Sequence, residues 1–174
     1  HIDNLKEHFN GKTVNIVGKG PSLDYLSADD FPSPDDPIIG LNEAALELAK
    51  LDLPNPIFGL QQDARLKGTC KPEGVPIFVS VKAANFYADK QDAYVFNARR
   101  YKLSLNALSV TAAIKITQSL GARDYRLVCF DSCVNQKMGY AKAIPYPVTF
   151  GGSPQRFRSH RAKIQKHTRG YKLE

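Results

Sequence analysis

The fold class follows from one stretch near the N-terminus, Thr13-Val14-Asn15-Ile16-Val17-Gly18-Lys19-Gly20-Pro21-Ser22. Its first half is a short β-branched run, which predicts a strand, and the two glycines after it predict a tight turn. Pro21 has a fixed φ that suits the first turn of a helix. The stretch therefore predicts a strand, a tight turn and a helix, which is the opening unit of a layered α/β domain.

Five more apolar runs are brief and lack strict alternation between apolar and polar residues. They predict strands covered on both faces, at 37–41, 56–60, 75–81, 94–97 and 125–130. An Ala- and Leu-rich run that stops before Pro54 predicts a helix over 43–51, and helical spacing of apolar residues predicts one over 107–120. This alternation of strand and helix predicts a single Rossmann-like α/β domain over residues 1–174. We expect its sheet to be mainly parallel, with helices on both faces.

Composition excludes several other classes of protein. The chain has 174 residues, 43% of them hydrophobic and 24% charged, which is the balance of a globular domain rather than of a disordered, collagen-like or coiled-coil chain. No apolar run approaches the roughly 20 residues of a membrane span, and His1 to Asn10 are polar overall, so we expect neither a span nor a signal peptide. The cysteines Cys70, Cys129 and Cys133 lack metal-ligand spacing. We expect them to be reduced, in a cytoplasmic protein.

The net charge of +7 is concentrated at the C-terminal end, where the residues from Gly151 onward contain seven Lys or Arg and one acidic residue. We expect the basic segment 156–174 to meet an anionic acceptor, the inner membrane surface or a nucleic acid, and a solvated helix face is the alternative. The irregular segment 132–155 predicts a lid-like loop. Its Tyr140 and Tyr146 could cover a bound nucleotide or pack structurally.

The glycine loop, Gly18-Lys19-Gly20-Pro21-Ser22, is the first candidate binding element. Ligands of parallel α/β sheets bind at the carboxyl ends of the strands, where a glycine turn before a helix presents backbone N–H groups to phosphate. We therefore predict phosphate binding here, with a plain tight turn as the alternative. Leu23 occupies the third glycine position of the dinucleotide fingerprint, and no Gly-Lys-Ser/Thr sequence follows, so an NAD enzyme and a P-loop NTPase are disfavoured.

The opening Gly18-Lys19-Gly20-Pro21-Ser22-Leu23 resembles the Gly-x-Gly-Pro-Ser-Leu sequence of the bacterial sialyltransferases of glycosyltransferase family 42. It also resembles a related group that includes archaeal 6-hydroxymethylpterin diphosphokinases and flagellin-modifying motility factors. Asn42 is similar to the family asparagine that faces the nucleotide, and Ser109 to the serine of the family's Thr-Ser-Gly segment. Asp131 resembles the family aspartate after the last core strand. His160 is located where the sialyltransferases have their catalytic base.

This resemblance implies a glycosyltransferase that uses a CMP-activated sugar. The glycine loop, Asn42, Ser109 and Asp131 would surround the nucleotide, and His160 would act as general base on the acceptor hydroxyl. Neither a metal nor a cofactor besides the nucleotide sugar is implied. The related group implies an alternative, diphosphate transfer from ATP to a pterin-like alcohol, which needs Mg²⁺ held by carboxylates such as Asp63 and Asp131.

A third hypothesis comes from a different class, a non-catalytic module that binds nucleic acid or an anionic surface through the basic segment 156–174.

Several candidate residues also have a simpler interpretation, which involves no ligand. Asp131 could contact a ribose hydroxyl or cap the next turn, and His160 could be a solvated surface histidine. Gln62-Asp63 follows the third strand at the expected rim of the site, and a turn role is the simpler interpretation. Asp29-Asp30 and Asp35-Asp36 are interpreted as solvated turn residues rather than a metal site.

Overall fold

The computed structural model describes residues 1–66, 68, 70–104 and 107–131 of the chain. Within these residues six strands form one sheet, and every neighbouring pair of strands is parallel. The strands are β1 Thr13–Val17, β2 Ile38–Leu41, β3 Ile57–Gln61, β4 Ile77–Ser80, β5 Ala93–Phe96 and β6 Asp124–Val128. Each overlaps a predicted strand region, and the predicted α/β fold with a parallel sheet is confirmed.

The strand order is β5-β4-β3-β2-β1-β6. The chain therefore moves outward in one direction from β1 to β5 and then returns to pair β6 with the free side of β1. The register runs from Thr13 beside Asp124 to Val17 beside Val128, so the carboxyl ends of β1 and β6 are level. A reversal of this kind is a topological switch point, and it opens a crevice outside the carboxyl ends of the two strands.

Three α-helices accompany the sheet in the described residues: α1 Lys6–Phe9, α2 Ala44–Leu48 and α3 Ser109–Ser119. Helix α3 connects β5 to β6, and its Ile114 packs in the same apolar cluster as Val14 and Ile16. Helix α2 packs through Leu48 with Val17, which belongs to a separate cluster. Because adjacent strand residues point to opposite faces of a sheet, the two helices cover opposite faces, as predicted.

The α-helices are shorter than their sequence patterns predict. Helix α2 ends at Leu48, because the N–H groups of Lys50 and Leu51 donate to carbonyls three residues earlier, each at 3.1 Å. The predicted helix at Pro21 is a 3₁₀ helix, Pro21–Tyr25, and four further 3₁₀ helices are described, Ile2–Leu5, Ala28–Asp30, Ala64–Leu66 and Ala84–Tyr87. None of the described helices combines the length and the apolar character that crossing a membrane requires.

The N-terminal residues, polar overall, contribute to the core. Ile2, Leu5 and Phe9 are buried in the cluster beneath α3. The Phe9 ring lies 4.9 Å from that of Phe58 and 6.1 Å from that of Phe78, measured between centroids. The sequence interpretation missed this element, although the spacing i, i+3, i+7 of the three apolar residues is helical. The predicted lid-like loop 132–155 and basic segment 156–174 lie outside the described residues.

Candidate functional site

The candidate site is the carboxyl edge, formed by the residues that follow β1, β2, β3 and β6 together with the first residue of α3. Four of the predicted elements lie there: the glycine loop after β1, Asn42 after β2, Asp131 after β6 and Ser109 at the start of α3. Hydrogen bonds join Ser22 of the loop to Asp131, and Asn42 to Ser109. The structure thus places the predicted nucleotide-binding residues at one edge of the sheet.

The glycine loop packs directly on the end of β6. The N–H of Gly18 donates to the carbonyl of Val128, and that of Gly20 to the carbonyl of Cys129, both at 2.8 Å. A Cβ at Gly18 would lie 2.7 Å from the Cys129 oxygen, and one at Gly20 would lie 2.6 Å from the same atom. The close approach of the two backbones therefore requires both glycines.

Asp131, which follows β6, contacts the glycine loop through its side chain. Its carboxylate accepts hydrogen bonds from the Ser22 N–H at 3.1 Å and from the Ser22 hydroxyl at 2.6 Å. The observed contact of Asp131 is therefore with the glycine loop, and the ribose contact and the cap of the next turn stay predictions. A ligand phosphate at the Ser22 N–H requires this carboxylate to turn away, because two anions compete for the same donors.

Cys129, between β6 and Asp131, is a buried residue with a left-handed backbone, φ +58°. Burial raises the pKa of its thiol to about 11, and the nearby carboxylates of Asp131 and Asp30 raise it further, against a hydrogen bond with Ser22 that lowers it. The thiolate is the nucleophilic form of cysteine. At neutral pH this residue is therefore a small buried hydrophobe, not a nucleophile.

Asn42 turns the chain at the end of β2. Its φ of +54° is left-handed, a conformation that asparagine tolerates better than most residues. Its backbone N–H donates to the Leu60 carbonyl at 2.8 Å, and its side-chain Nδ2 lies 3.5 Å from the Ser109 hydroxyl oxygen. The Oδ1 atom is buried and accepts no hydrogen bond within the described ranges.

Gln62, after β3, also has a buried side-chain oxygen that accepts no hydrogen bond within the described ranges. Its Nε2 donates to the carbonyl of Ala107 at 3.0 Å, which fixes the orientation of the amide, since a carbonyl accepts only from a donor. Its backbone oxygen accepts from the Ser80 hydroxyl at 2.7 Å. The Oε1 atom is buried and has no partner among the residues described. Gln62 thus holds the segment before α3 and also leaves an acceptor unsatisfied.

A buried ion pair was not foreseen from the sequence. The Lys19 ammonium lies 2.7 Å from Oε2 of Glu43, and the two side chains are 13% and 3% exposed. The second oxygen of Glu43, Oε1, is buried and unpartnered in the part of the chain described. No sequence signal distinguishes Glu43 from an ordinary acidic residue at the start of a helix, where it would face the positive end of the helix dipole.

Several other candidate residues from the sequence are not among the described residues of the carboxyl edge. His160, Tyr140 and Tyr146 are outside the described residues. Asp30 accepts from the N–H of Ser27 at 2.9 Å, in agreement with a turn role. Over the described ranges, no group of three or more His, Cys, Asp or Glu side chains is arranged to hold a metal ion.

A cavity of about 380 Å³ lies along β5, the strand at the other end of the sheet from β6. Tyr94, Arg100 and Tyr101 are among its lining residues. The Arg100 guanidinium pairs there with Asp3 at 3.1 Å, an exposed contact. None of the predicted nucleotide-binding residues lines this cavity.

Comparison with solved structures finds a similar fold in the sialyltransferase CstII from Campylobacter jejuni, in a complex with the substrate analogue cytidine-5′-monophosphate. The match has a TM-score of 0.54 and 15% sequence identity, and it covers 94% of this chain and 79% of that chain. No protein-family model matches the sequence, and no curated protein matches it. The similarity shows a shared fold.

Proposed function

We propose that this chain binds a nucleotide at the carboxyl edge and is a sialyltransferase-like glycosyltransferase that uses a CMP-activated sugar. The observation that carries the proposal is the meeting of the glycine loop, Asn42, Ser109 and Asp131 beside the switch point between β1 and β6. The shared fold with a CMP-bound sialyltransferase supports the choice of nucleotide. The proposal involves no metal ion and no further cofactor.

Two unsatisfied acceptors support a ligand at this edge. Buried polar atoms in proteins nearly always have hydrogen-bond partners, and leaving one unpaired costs about 1–3 kcal/mol. Asn42 Oδ1 and Gln62 Oε1 are both buried without a partner within the described part of the chain. A cytosine amino group or a ribose hydroxyl would supply the missing donors, and Asp131 would accept from a second ribose hydroxyl.

In the proposed reaction the acceptor hydroxyl oxygen attacks the anomeric carbon of the donor sugar. The bond from that carbon to the phosphate oxygen breaks, and CMP leaves with the electron pair. His160 takes the proton of the acceptor hydroxyl. The Lys19 ammonium stabilises the charge that develops on the departing phosphate, which is where a fixed cation contributes most to the rate. The basic segment 156–174 would bind an anionic acceptor or a membrane surface.

Nucleotide binding is tested first, by calorimetric titration of the protein with CMP, UMP, GMP and ATP. We expect CMP to bind most tightly, and absence of binding by every nucleotide at millimolar concentration would refute the proposal. Turnover is then measured with a CMP-activated sugar in the presence of EDTA. Release of CMP is the expected result, whereas turnover only with ATP and Mg²⁺ would show diphosphate transfer instead.

The role of His160 has its own test. Loss of a general base typically lowers the rate by about 10²- to 10⁴-fold, so His160→Ala should lower kcat by at least the smaller factor with little change in CMP affinity. His167→Ala is the matched control, because it lies in the same basic segment, and it should retain full activity. Equal rates for wild type and His160→Ala would remove His160 from the mechanism.

A further inference from the structure

We infer that Glu43 is a positioning residue, which holds the Lys19 ammonium at the carboxyl edge so that it contacts the phosphate of a bound nucleotide. The inference rests on the proposed function and adds a residue and a binding role to it. Its basis is the buried ion pair, in which Lys19 Nζ lies 2.7 Å from Glu43 Oε2.

Stability alone does not account for this pair. Removing two charges from water costs several kcal/mol per ion, and their attraction compensates for that cost only when the remaining hydrogen-bonding atoms are satisfied. Glu43 does not meet this condition, because its Oε1 is buried and has no partner in the described ranges. Apolar side chains of similar size would serve a purely structural role as well or better.

The backbone on both sides of Lys19 is fixed. Gly18 and Gly20 donate hydrogen bonds to the end of β6, so the Lys19 main chain cannot move independently of the sheet. Glu43 lies two residues after β2, the strand on the other side of β1. Its carboxylate therefore fixes the far end of the lysine side chain between the ends of β1 and β2. A lysine with four rotatable bonds is otherwise a poorly defined charge.

Exposure indicates which member of the pair meets a ligand. The Lys19 side chain is 13% exposed, whereas that of Glu43 is 3% exposed. Lys19 is thus the member of the pair that is more open to a ligand at the carboxyl edge. The group that such a cation recognises is an anion, and the phosphate is the anionic part of a bound CMP.

The direction in which removal of the Glu43 carboxylate changes the affinity for CMP distinguishes a positioning role from a purely electrostatic one. Removing a carboxylate near a bound anion strengthens binding if only Coulomb attraction matters. If Glu43 positions Lys19, its removal weakens binding instead, because the ammonium loses the carboxylate that fixes it between the ends of β1 and β2. A residue with a merely structural role would change stability and leave the affinity for CMP unaltered.

The experiment measures CMP affinity by calorimetric titration for wild type, Glu43→Leu, Glu43→Gln and Lys19→Met. We expect Glu43→Leu and Lys19→Met to bind CMP about 10- to 100-fold more weakly, the range for a hydrogen bond to a charged group. Glu43→Gln keeps an oxygen acceptor within the same reach of Lys19, so it should bind CMP nearly as well as wild type. Glu43→Asp keeps the charge but shortens the side chain, and it should bind weakly.

The outcomes separate this inference from the proposed function. If wild type does not bind CMP, the proposed function fails. If wild type binds and Glu43→Leu binds equally well or more tightly, nucleotide binding stands and the positioning role is wrong. Thermal unfolding of each variant establishes that it is folded. Should Glu43→Leu not fold, Glu43→Asp decides, and wild-type affinity in that variant would overturn the inference.

Discussion

Asn42 and Cys129 have left-handed backbones at the carboxyl edge, with φ of +54° and +58°. Each residue closely follows a strand, β2 for Asn42 and β6 for Cys129, and turns the chain away from the sheet. A left-handed conformation costs a residue with a Cβ roughly 1–2 kcal/mol. Strain of this kind persists where surrounding contacts impose it, and here it accompanies the candidate binding residues.

Two substitutions at Asn42 distinguish the effect of its backbone conformation on stability from the effect of its side chain on CMP binding. Asn42→Gly accepts φ of +54° without strain, so it should be at least about 1 kcal/mol more stable than Asn42→Ala in chemical unfolding. Both variants lack the amide, and both should bind CMP more weakly than wild type. If Asn42→Gly binds CMP as wild type does, the side chain has no part in nucleotide binding.

Gly20 has no room for a side chain where the glycine loop packs on β6. An added Cβ would collide with the Asp131 carboxylate and would lie 2.6 Å from the Cys129 carbonyl, so Gly20→Ala should displace the glycine loop from β6. We expect a loss of about 1–3 kcal/mol in the free energy of unfolding and a clear loss of CMP binding.

Gly59→Ala is the matched control for Gly20→Ala. Its Cβ would meet the Ile77 side chain at 3.0 Å, inside the sheet and away from the glycine loop. It should lower stability without affecting CMP affinity. Equal loss of CMP binding in both variants would mean that the Gly20 effect reflects general destabilisation.

Among the elements, the short N-terminal helices are more important to the core than their length suggests. Phe9 is fully buried, and its ring packs on Phe58 and Phe78, which come from β3 and β4. Isolated helices of four residues are not stable in water. The segment is therefore held by packing, and Phe9 provides much of it.

The contribution of this segment is measured by Phe9→Ala. Truncating a buried phenylalanine typically costs about 3–5 kcal/mol, so we expect a loss of that size in urea unfolding. Glu7→Ala is the control in the same helix, because its side chain is 81% exposed, and it should change stability by less than about 0.5 kcal/mol. A loss below about 1 kcal/mol for Phe9→Ala would show that the N-terminal residues are not part of the cooperative core.

At the scale of the whole molecule, two buried groups link stability to pH. Burial raises the pKa of Cys129 from 9.0 to about 11, and it raises the pKa of Tyr87 well above its ordinary value of 10.0. Tyr87 donates a hydrogen bond to the side chain of Gln61, the last residue of β3. Both groups are neutral when protonated, so the folded state retains their protons longer than the unfolded chain does.

The contribution of such a group to the free energy of unfolding is therefore fully present below about pH 9. It declines as pH rises through 9 to 11, since the unfolded chain releases its protons first. The slope for one such group reaches about 1.4 kcal/mol per pH unit. Urea unfolding at a series of pH values should show a smaller decline for Cys129→Ala between pH 9 and 11, and for Tyr87→Phe above pH 10. Identical pH profiles for wild type and both variants would contradict this account.

The local elements could be predicted from the amino-acid sequence. Six short apolar runs predicted the six strands because a strand buried on both faces needs apolar side chains on both, and this requirement is local. The glycine loop was recognised for the same reason, since its residue types suit a tight turn after a strand. Helix ends were less well predicted, as at α2, because capping and 3₁₀ bonding depend on neighbouring atoms.

Contacts between distant residues, in contrast, depend on the tertiary structure. Asp131 bonds to Ser22 across 109 residues of chain, and Lys19 pairs with Glu43 across 24. Both contacts depend on strand order, which places β6 and β2 on either side of β1. Local periodicity reports the burial of a residue but not its partner, because partners are set by the register and connection of the strands. For that reason Glu43 could not be recognised from the sequence, whereas the loop it faces could.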